Sequence, residues 1–303
     1  MRNATFRQLR VFSEVARHLS FARAAEALHL TPPAVTMQVK ELEAHVGLPL
    51  FDRSGRQVAL TTAGEYMLVY ARRMLATLKD AEDAAARLKG VELGQLVIGM
   101  VSTAKYFLPK LLARFREEHP GVEIRLAVGN REQLVALLHA GEVDIAIMGR
   151  PPKELATRAE PFAAHPHVFV APPGHALVHA GTVLPGQLGE QPFLMRESGS
   201  GTRAALEQFL EAQHVTVNTA MEMSSNETIK QAVMAGMGLS FLSLRTVRQE
   251  LAGGYLVQLD VSGMPLSGQW FVTHLAGKTL SPAARAFKGF LIEQGGTLMD
   301  SIV

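Results

Sequence analysis

The chain has 303 residues, no cysteine, and 30 Lys and Arg against 28 Asp and Glu, for a formal net charge of +2. The missing cysteines exclude disulfides, thiolate nucleophiles and Cys-based zinc sites and fit a reducing cytoplasm, and a charge this near zero names no nucleic-acid partner by itself. No run approaches the roughly 18 apolar residues of a membrane span, and MRNATFRQLRVF at the N-terminus lacks the apolar stretch of a secretory signal.

Phe6, Leu9, Phe12 and Val15 recur at helical spacing and predict an amphipathic helix over residues 5–18. Ser20 is placed to cap a second, short helix carrying Phe21, Ala24, Ala25 and Leu28, whose small residues let another helix approach closely. After only His29-Leu30-Thr31 comes TPPAVTMQVKELE, residues 31–43. Thr31 is placed to cap through its hydroxyl, and Pro32 and Pro33 occupy a first turn where a missing N–H costs nothing. Val35, Val39, Leu42 and Val46 form the inner side of this third helix. Its outer side presents Thr36, Met37 and Lys40, with the two prolines at the tip. Three short helices with one tight turn read as a helix-turn-helix whose third helix enters DNA; the same pattern fits a three-helix core with no nucleic-acid role. LPLFDRSGRQVALTT, residues 48–62, adds a β-hairpin wing, with Leu50 and Phe51 as anchors, a returning strand at Gln57 to Leu60, and Arg53 and Arg56 near its tip. Arginine there is suited to a minor groove or to phosphates, or stands on a solvated turn.

Thr62-Ala63-Gly64-Glu65 has capping-box spacing. Met67, Ala71, Met74, Leu78, Ala81, Ala85 and Leu88 follow at alternating intervals of four and three, a heptad seam ending near Lys89-Gly90. Such a seam pairs with a second copy of the chain, placing two recognition helices on a two-fold operator, or packs on the chain's own second domain.

Beyond Gly94, QLVIGMV (95–101), a helix from Ala104 to Glu118, VEIRLAV (122–128), a helix from Arg131 to Ala140 and VDIAIMG (143–149) alternate as in an open parallel α/β sheet. HVFVAPPGH (167–175) leaves this lobe for a second one, which holds PFLMRESGSGTRAALEQFLEA (192–212) and SSNETIKQAVMAGMGLSFLSL (224–244). QWFVTHL (269–275) and a helix from Ser281-Pro282 return to the first. The division expected is 1–62, a winged helix-turn-helix; 63–90, a linker helix; and 95–303, a bilobed α/β domain with lobe I at about 95–164 and 269–303 and lobe II at about 165–268. In such sheets ligands sit beyond the carboxyl ends of strands. Ser102-Thr103, Ser198 to Arg203, and Ser224 to Glu227 put hydroxyls, exposed backbone N–H groups and positive helix ends there, with Lys105, Arg150 and Arg203 to add charge. Any one of these loops is ordinary capping; three in one bilobed frame point to a small anion. ESGSG is not a G-x-S-x-G elbow, GSGTR lacks the spacing and lysine of a P-loop, and His165-Pro166-His167 has no third ligand nearby, so the two histidines read as strand or hinge packing. No cofactor, metal or catalytic constellation is expected.

The stretch FxxVARHLSFARAAEALHLTPPAVTMQVKELEAHVGLPLFDR…LTTAG, with the long helix and the bilobed remainder, resembles the LysR-type transcriptional regulators over the whole chain. VSTAKYFLPKLL, GNREQL, MGRPPKEL, AHPHVFVA, RESGSGTR and SNETIKQAVMAGMG are similar to the subgroup that controls Calvin-cycle, RuBisCO-encoding operons. The resemblance implies a winged helix-turn-helix, a linker helix and a periplasmic-binding-protein-like effector domain. It also implies homodimers that form tetramers on an inverted-repeat operator, DNA bending, and a coinducer that is a phosphorylated metabolite or NADPH; RNA polymerase is a possible further partner. Carried over by position, DNA contacts fall to Thr31, Pro32, Pro33, Thr36, Met37, Lys40 and Arg53, and effector contacts to Ser102, Thr103, Asn130, Ser200, Thr202 and Asn226. Pro32 and Met37 stand where many members have glutamine and arginine, and neither makes bidentate contacts to a base. Groove shape and methyl contacts should therefore carry more of the specificity. A solute-binding protein is opposed by the missing export signal and the helix-wing unit, and an enzyme by the missing catalytic groups. A LysR-type regulator of another pathway with a different small anion is the nearest rival.

Overall fold

The computed structural model describes residues 3–52, 58–88 and 94–301. The chain divides into two compact units, Met1–Val91 with Ala140–Glu142, and Glu92–His139 with Val143–Val303.

In the first unit α1 (Phe6–His18), α2 (Phe21–Leu28) and α3 (Pro32–Val46) precede a hairpin of β1 (Phe51–Asp52) and β2 (Ala59–Leu60), and α4 (Thr62–Leu88) follows. Thr5 and Gln8 start α1 as a reciprocal capping box, and Ser20 accepts the Arg23 N–H to start α2. Leu19, His29 and Gly47 end the three helices in left-handed conformation. Phe12, Val15, Ala24, Ala25, Val35, Val39 and Leu42 are buried together with Leu50 and Phe51 of the hairpin. The Phe12 and Phe21 rings both pack on the Phe51 ring, 5.4 and 5.6 Å away.

Three expectations are corrected in this unit. Thr31 is the N-cap residue of α3, but its hydroxyl makes no capping bond. A threonine cap serves the N–H of the second or third helical residue, and Pro33, the second, has none. The cap of α4 lies one residue earlier than Thr62. Thr61 Oγ1 accepts the Gly64 N–H at 3.0 Å and donates to the Pro49 carbonyl at 2.7 Å. Gly64 comes so close to the chain entering the wing that a Cβ there would collide with the Leu50 carbonyl oxygen. The heptad seam is divided: Met67 and Ala71 are buried in the winged unit's own core and Met74 packs on it, while Ala81 and Ala85 are exposed. On another face Tyr66, Val69 and Tyr70, three and four residues apart, form an exposed apolar stripe.

The second unit begins with β3 (Gln95–Val101), a 3-10 turn (Ser102–Tyr106), α5 (Leu108–Glu118), β4 (Glu123–Gly129), α6 (Arg131–Ala140) and β5 (Ile145–Met148). It continues with β6 (Thr157–Ala171), a 3-10 turn (Ala176–His179), α7 (Pro185–Leu188), β7 (Pro192–Arg196), α8 (Gly201–Ala212), β8 (Asn218–Met223), α9 (Asn226–Met234) and β9 (Leu239–Ser243). It closes with α10 (Leu244–Ala252), β10 (Val257–Gln258), β11 (Leu266–Leu275), α11 (Pro282–Phe290), a π-helical turn (Leu291–Gly295) and α12 (Gly296–Ser301). The strand order is β4-β3-β5-β11-β6-β9-β7-β8, with β10 on β6. β3 runs parallel to β4 and β5 in one lobe, and β7 runs parallel to β8 and β9 in the other. The long antiparallel strands β6 and β11 connect the lobes: β6 pairs with β11 at residues 157–167 and with β9 at 167–170.

Each lobe is covered on both faces, as parallel strands require. In the first, Leu96, Ile98 and Met100 face Phe107, Phe115, Trp270 and Phe287, while Ala146 and Met148 face Leu134 and Leu138. In the second, Phe169, Phe193 and Phe241 face Leu206 and Phe209, while Val168, Leu194 and Leu242 face Ile229 and Val233.

The helix expected from Ala104 is split. A 3-10 turn comes first and α5 starts afresh at Leu108, with Pro109 in its first turn. β6 begins ten residues before the expected strand. Pro161 and Pro166 disguise it, but at both positions β11 is the strand partner, so a missing N–H is tolerated on the other edge.

Candidate functional site

Between the carboxyl ends of the strands lies a cavity of 520 Å³. Ser102 and Thr103 reach it from the end of β3, Asn130 from the end of β4, Arg150 from just past β5, and Ser200 and Thr202 from the start of α8. Among the described residues no aspartate or glutamate lines it. The start of α8 is built to receive negative charge. Ser200 Oγ accepts the Arg203 N–H and its carbonyl accepts that of Ala204, which leaves the N–H groups of Gly201 and Thr202 for a ligand at the positive end of the helix.

Three expected residues take other places. Lys105 does not line the cavity; Glu227 holds it at 3.7 Å, and its Nζ lies 5.1 Å from the Tyr106 ring centroid. Arg203 turns to a neighbouring groove, because Glu207 one turn along and Glu222 both capture its guanidinium. Asn226 is buried behind the cavity, where its Oδ1 accepts from Arg196 Nη1 at 2.6 Å.

Arg196 is the central group that sequence reasoning missed. It ends β7 and lines the cavity with only 4% of its surface exposed. Glu197 grips it through Nε at 2.7 Å and Nη2 at 2.9 Å, and Nη2 also donates to Ser102 Oγ of the other lobe at 3.3 Å. The adjacent Arg-Glu pair at a strand end was the available signal. A second link between the lobes runs from the Tyr106 hydroxyl to the Glu227 carboxylate. Burial and that carboxylate push the Tyr106 hydroxyl's pKa up. Burial opposes ionisation of Glu227, but Tyr106, Lys230 and Lys105 together hold its pKa below the usual carboxylate value.

His165 and His167 share one face of β6 and pack there as expected, stacked on Trp270 and Phe241, and the same two residues also line the cavity. Burial pushes the His167 pKa down to about 4. Burial, then His167 and Arg245, hold His165 well below the ordinary imidazole value, so both rings are neutral at pH 7.

In the first unit Thr31, Pro32, Pro33, Met37 and Lys40 are exposed on one side of α3, opposite the buried Val35, Val39 and Leu42. Met37 shows 53% of its surface. Thr36 is half-buried, and its hydroxyl donates to the Pro32 carbonyl at 2.9 Å, leaving a methyl group and a lone pair for a partner. Glu43 Oε1 accepts the N–H groups of Leu50 at 2.9 Å and Phe51 at 3.2 Å, fastening the hairpin to α3. Arg53 and Arg56 lie outside the described residues.

Residues 6–65 match the model of the bacterial regulatory helix-turn-helix protein, lysR family, and residues 89–296 that of the LysR substrate binding domain. The chain belongs to the LysR family of transcriptional regulators. It is 50% identical, over 97% of its length and 92% of the relative's, to the HTH-type transcriptional regulator CfxR of Cupriavidus necator. It is 46% identical, over 98% of each chain, to the RuBisCO operon transcriptional regulator of Allochromatium vinosum. The regulatory domain of Synechocystis PCC6803 CcmR, solved in complex with 2-PG, is 38% identical with a TM-score of 0.63, covering 66% of this chain and 96% of that one. As a LysR regulator the chain is a DNA-binding protein and not an enzyme, with a helix-turn-helix domain ahead of a periplasmic-binding-protein-like effector domain.

Proposed function

We propose that this LysR regulator controls carbon-fixation genes, a RuBisCO operon among them, in response to a small phosphorylated anion held in the cleft. The observation that carries this reading is a cavity lined by no described carboxylate, onto which Ser102, Thr103, Arg150 and the positive end of α8 open. The names of the relatives support the pathway, and the 2-phosphoglycolate complex of CcmR supports the ligand class. The volume lies in the usual range for ligand pockets. It suits a short phosphorylated acid, whereas NADPH would have to extend past its mouth.

On this reading Ser102, Thr103, Asn130, Arg150, Ser200 and Thr202 contact the effector, and Asn226 acts by positioning Arg196. Thr31, Pro32, Pro33, Thr36, Met37 and Lys40 meet the duplex, Lys40 at a phosphate and Met37 at a methyl group in the major groove; Arg53 serves the wing. Two copies pair through α4, where the Tyr66-Val69-Tyr70 stripe and the exposed Ala81 and Ala85 are the available surface, and pairs of dimers bend an inverted-repeat operator. No described helix is long and apolar enough to cross a membrane, which suits a cytoplasmic regulator. The effector biases the lobe arrangement only by its difference in affinity for the closed and open forms, typically about 1–3 kcal/mol of coupling.

The test titrates 2-phosphoglycolate, ribulose 1,5-bisphosphate, phosphoenolpyruvate and NADPH into the protein bound to DNA upstream of its neighbouring genes, following affinity and bend angle. A change with at least one phosphorylated ligand is expected. If none alters either quantity, the carbon-fixation reading fails.

A further inference from the structure

The 3-10 turn Ser102–Tyr106 meets the cavity at one end only. Ser102 and Thr103 at its start line the cavity, whereas Tyr106 at its end does not. Both ends are nonetheless tied to the second lobe, and to consecutive residues of α9. Ser102 Oγ accepts from Arg196 Nη2 at 3.3 Å, and Arg196 in turn donates to Asn226 Oδ1 at 2.6 Å. The Tyr106 hydroxyl donates to Glu227 Oε1.

The Glu227 carboxylate is held ready for that bond. Lys230, one turn along α9 and 4% exposed at its side chain, meets Glu227 Oε2 at 3.0 Å and is itself anchored by Glu250 Oε1 at 2.8 Å. That leaves Oε1 for the first lobe, where Lys105 Nζ approaches it at 3.7 Å. An ammonium group from each lobe also stands over the Tyr106 ring, Lys105 Nζ 5.1 Å and Lys230 Nζ 5.0 Å from its centroid. None of Lys105, Tyr106, Glu227 and Lys230 lines the cavity, so none of their bonds is made to a ligand there. The contact nevertheless bears on ligand binding. It exists only while the lobes stand as they do here, and it needs no ligand to form. An anion that requires donors from both lobes binds more weakly in proportion to the time the lobes spend apart.

We propose that Tyr106 is a positioning residue of the effector site: its bond to Glu227 keeps Ser102 and Thr103 set against the start of α8 before the effector arrives. The proposal rests on the cavity being the effector site. Tyr106 acts through the turn, without touching the ligand.

Calorimetric titration of the full-length protein with 2-phosphoglycolate tests it. Tyr106→Phe keeps the ring and removes only the hydroxyl; Glu227→Leu removes the acceptor. The Glu227 side chain is 49% exposed, so solvent discounts the bond. Each substitution should weaken effector binding about fivefold. The double variant should bind no more weakly than Glu227→Leu alone, because the bond can be lost only once. Binding stoichiometry should stay at the wild-type value in all three. A merely structural role would instead lower the fraction able to bind and leave the affinity of the remainder alone. Affinity within about 1.5-fold of wild type in Tyr106→Phe, or losses that add in the double variant, overturns the positioning role while leaving the cavity as the effector site. If wild type binds none of 2-phosphoglycolate, ribulose 1,5-bisphosphate, phosphoenolpyruvate or inorganic phosphate, the positioning role and the effector reading both fail.

Discussion

Replacing Arg196 by methionine tests the most heavily connected group in the cleft. Methionine fills much of the same volume but carries no charge. The arginine side chain is 3% exposed and that of Glu197 17% exposed, so solvent screens the pair weakly. The substitution removes both bonds to Glu197, the 2.6 Å bond to Asn226 and the 3.3 Å bond to Ser102. It strands the Glu197 carboxylate, and it strips Asn226 of its Oδ1 donor when its Nδ2 already has no partner. Breaking a buried pair from one side costs about 3–5 kcal/mol. Trp270 is the one tryptophan of the chain and is fully buried on β11, so its fluorescence during urea unfolding reports on the effector unit alone. Arg196→Met should lower that unit's stability by about 3–5 kcal/mol. The double variant Arg196→Met/Glu197→Met should recover most of the loss, because neither charge is then left alone. A single variant within about 1 kcal/mol of wild type, or a double variant no better than the single, would refute the assignment of the cost to a stranded charge.

Glu43→Ala leaves the buried N–H groups of Leu50 and Phe51 without their acceptor, and should destabilise the winged unit by about 1–3 kcal/mol in thermal unfolding. Lys40→Ala should weaken operator binding and reduce the slope of log affinity against log salt by about 1; an unchanged slope would place Lys40 away from the phosphates. Lowering pH should destabilise the effector unit through His167. Its folded pKa of about 4 lies below the ordinary 6.5, so between these values the unfolded chain takes up a proton that the folded one refuses. The loss reaches about 2 kcal/mol at pH 5. His167→Phe should shrink the difference in urea stability between pH 7.5 and 5 by about that amount.

Elements with strong local signals were legible in the sequence. The apolar spacing of Phe12, Val15, Val35 and Val39, the paired prolines of α3 and the continuous run QLVIGMV each carry their structure within a few residues. What failed depended on partners distant in the chain. Thr61 caps α4 because Pro49 and Leu50 come up against it, and Thr62 has the better local spacing. Met67 and Ala71 have a coiled-coil period, but the core of the winged unit claims them. Pro161 and Pro166 argue against a strand until β11, about a hundred residues later, pairs with both positions. The cleft divides in the same way. Ser102, Thr103, Ser200 and Thr202 follow from the strand-end rule, since strand and loop are contiguous. Lys105 and Arg203 do not, because Glu227 and Glu222, which turn them aside, arrive by folding. Arg196 ends β7, and only folding brings Ser102 and Asn226 to it.

The charge balance around the cleft bears on how a ligand could act as a switch. Arg131 is paired with Glu154, Arg196 with Glu197, and Arg203 with Glu207 and Glu222. Among the described residues Arg150 has no carboxylate partner. Unpaired arginines would attract an anion over several ångströms, whether the lobes were together or apart. That attraction would raise affinity for both arrangements and discriminate little between them, and a ligand with equal affinity for two states shifts neither. Hydrogen bonds behave differently, because they weaken steeply with distance and angle. Ser102 and Thr103 stand on one lobe, and the N–H groups of Gly201 and Thr202 on the other. An anion held by both sets loses one of them when the lobes part. Pairing most arginines internally while leaving short-range donors on both walls therefore turns a larger share of the binding energy into preference for the closed form.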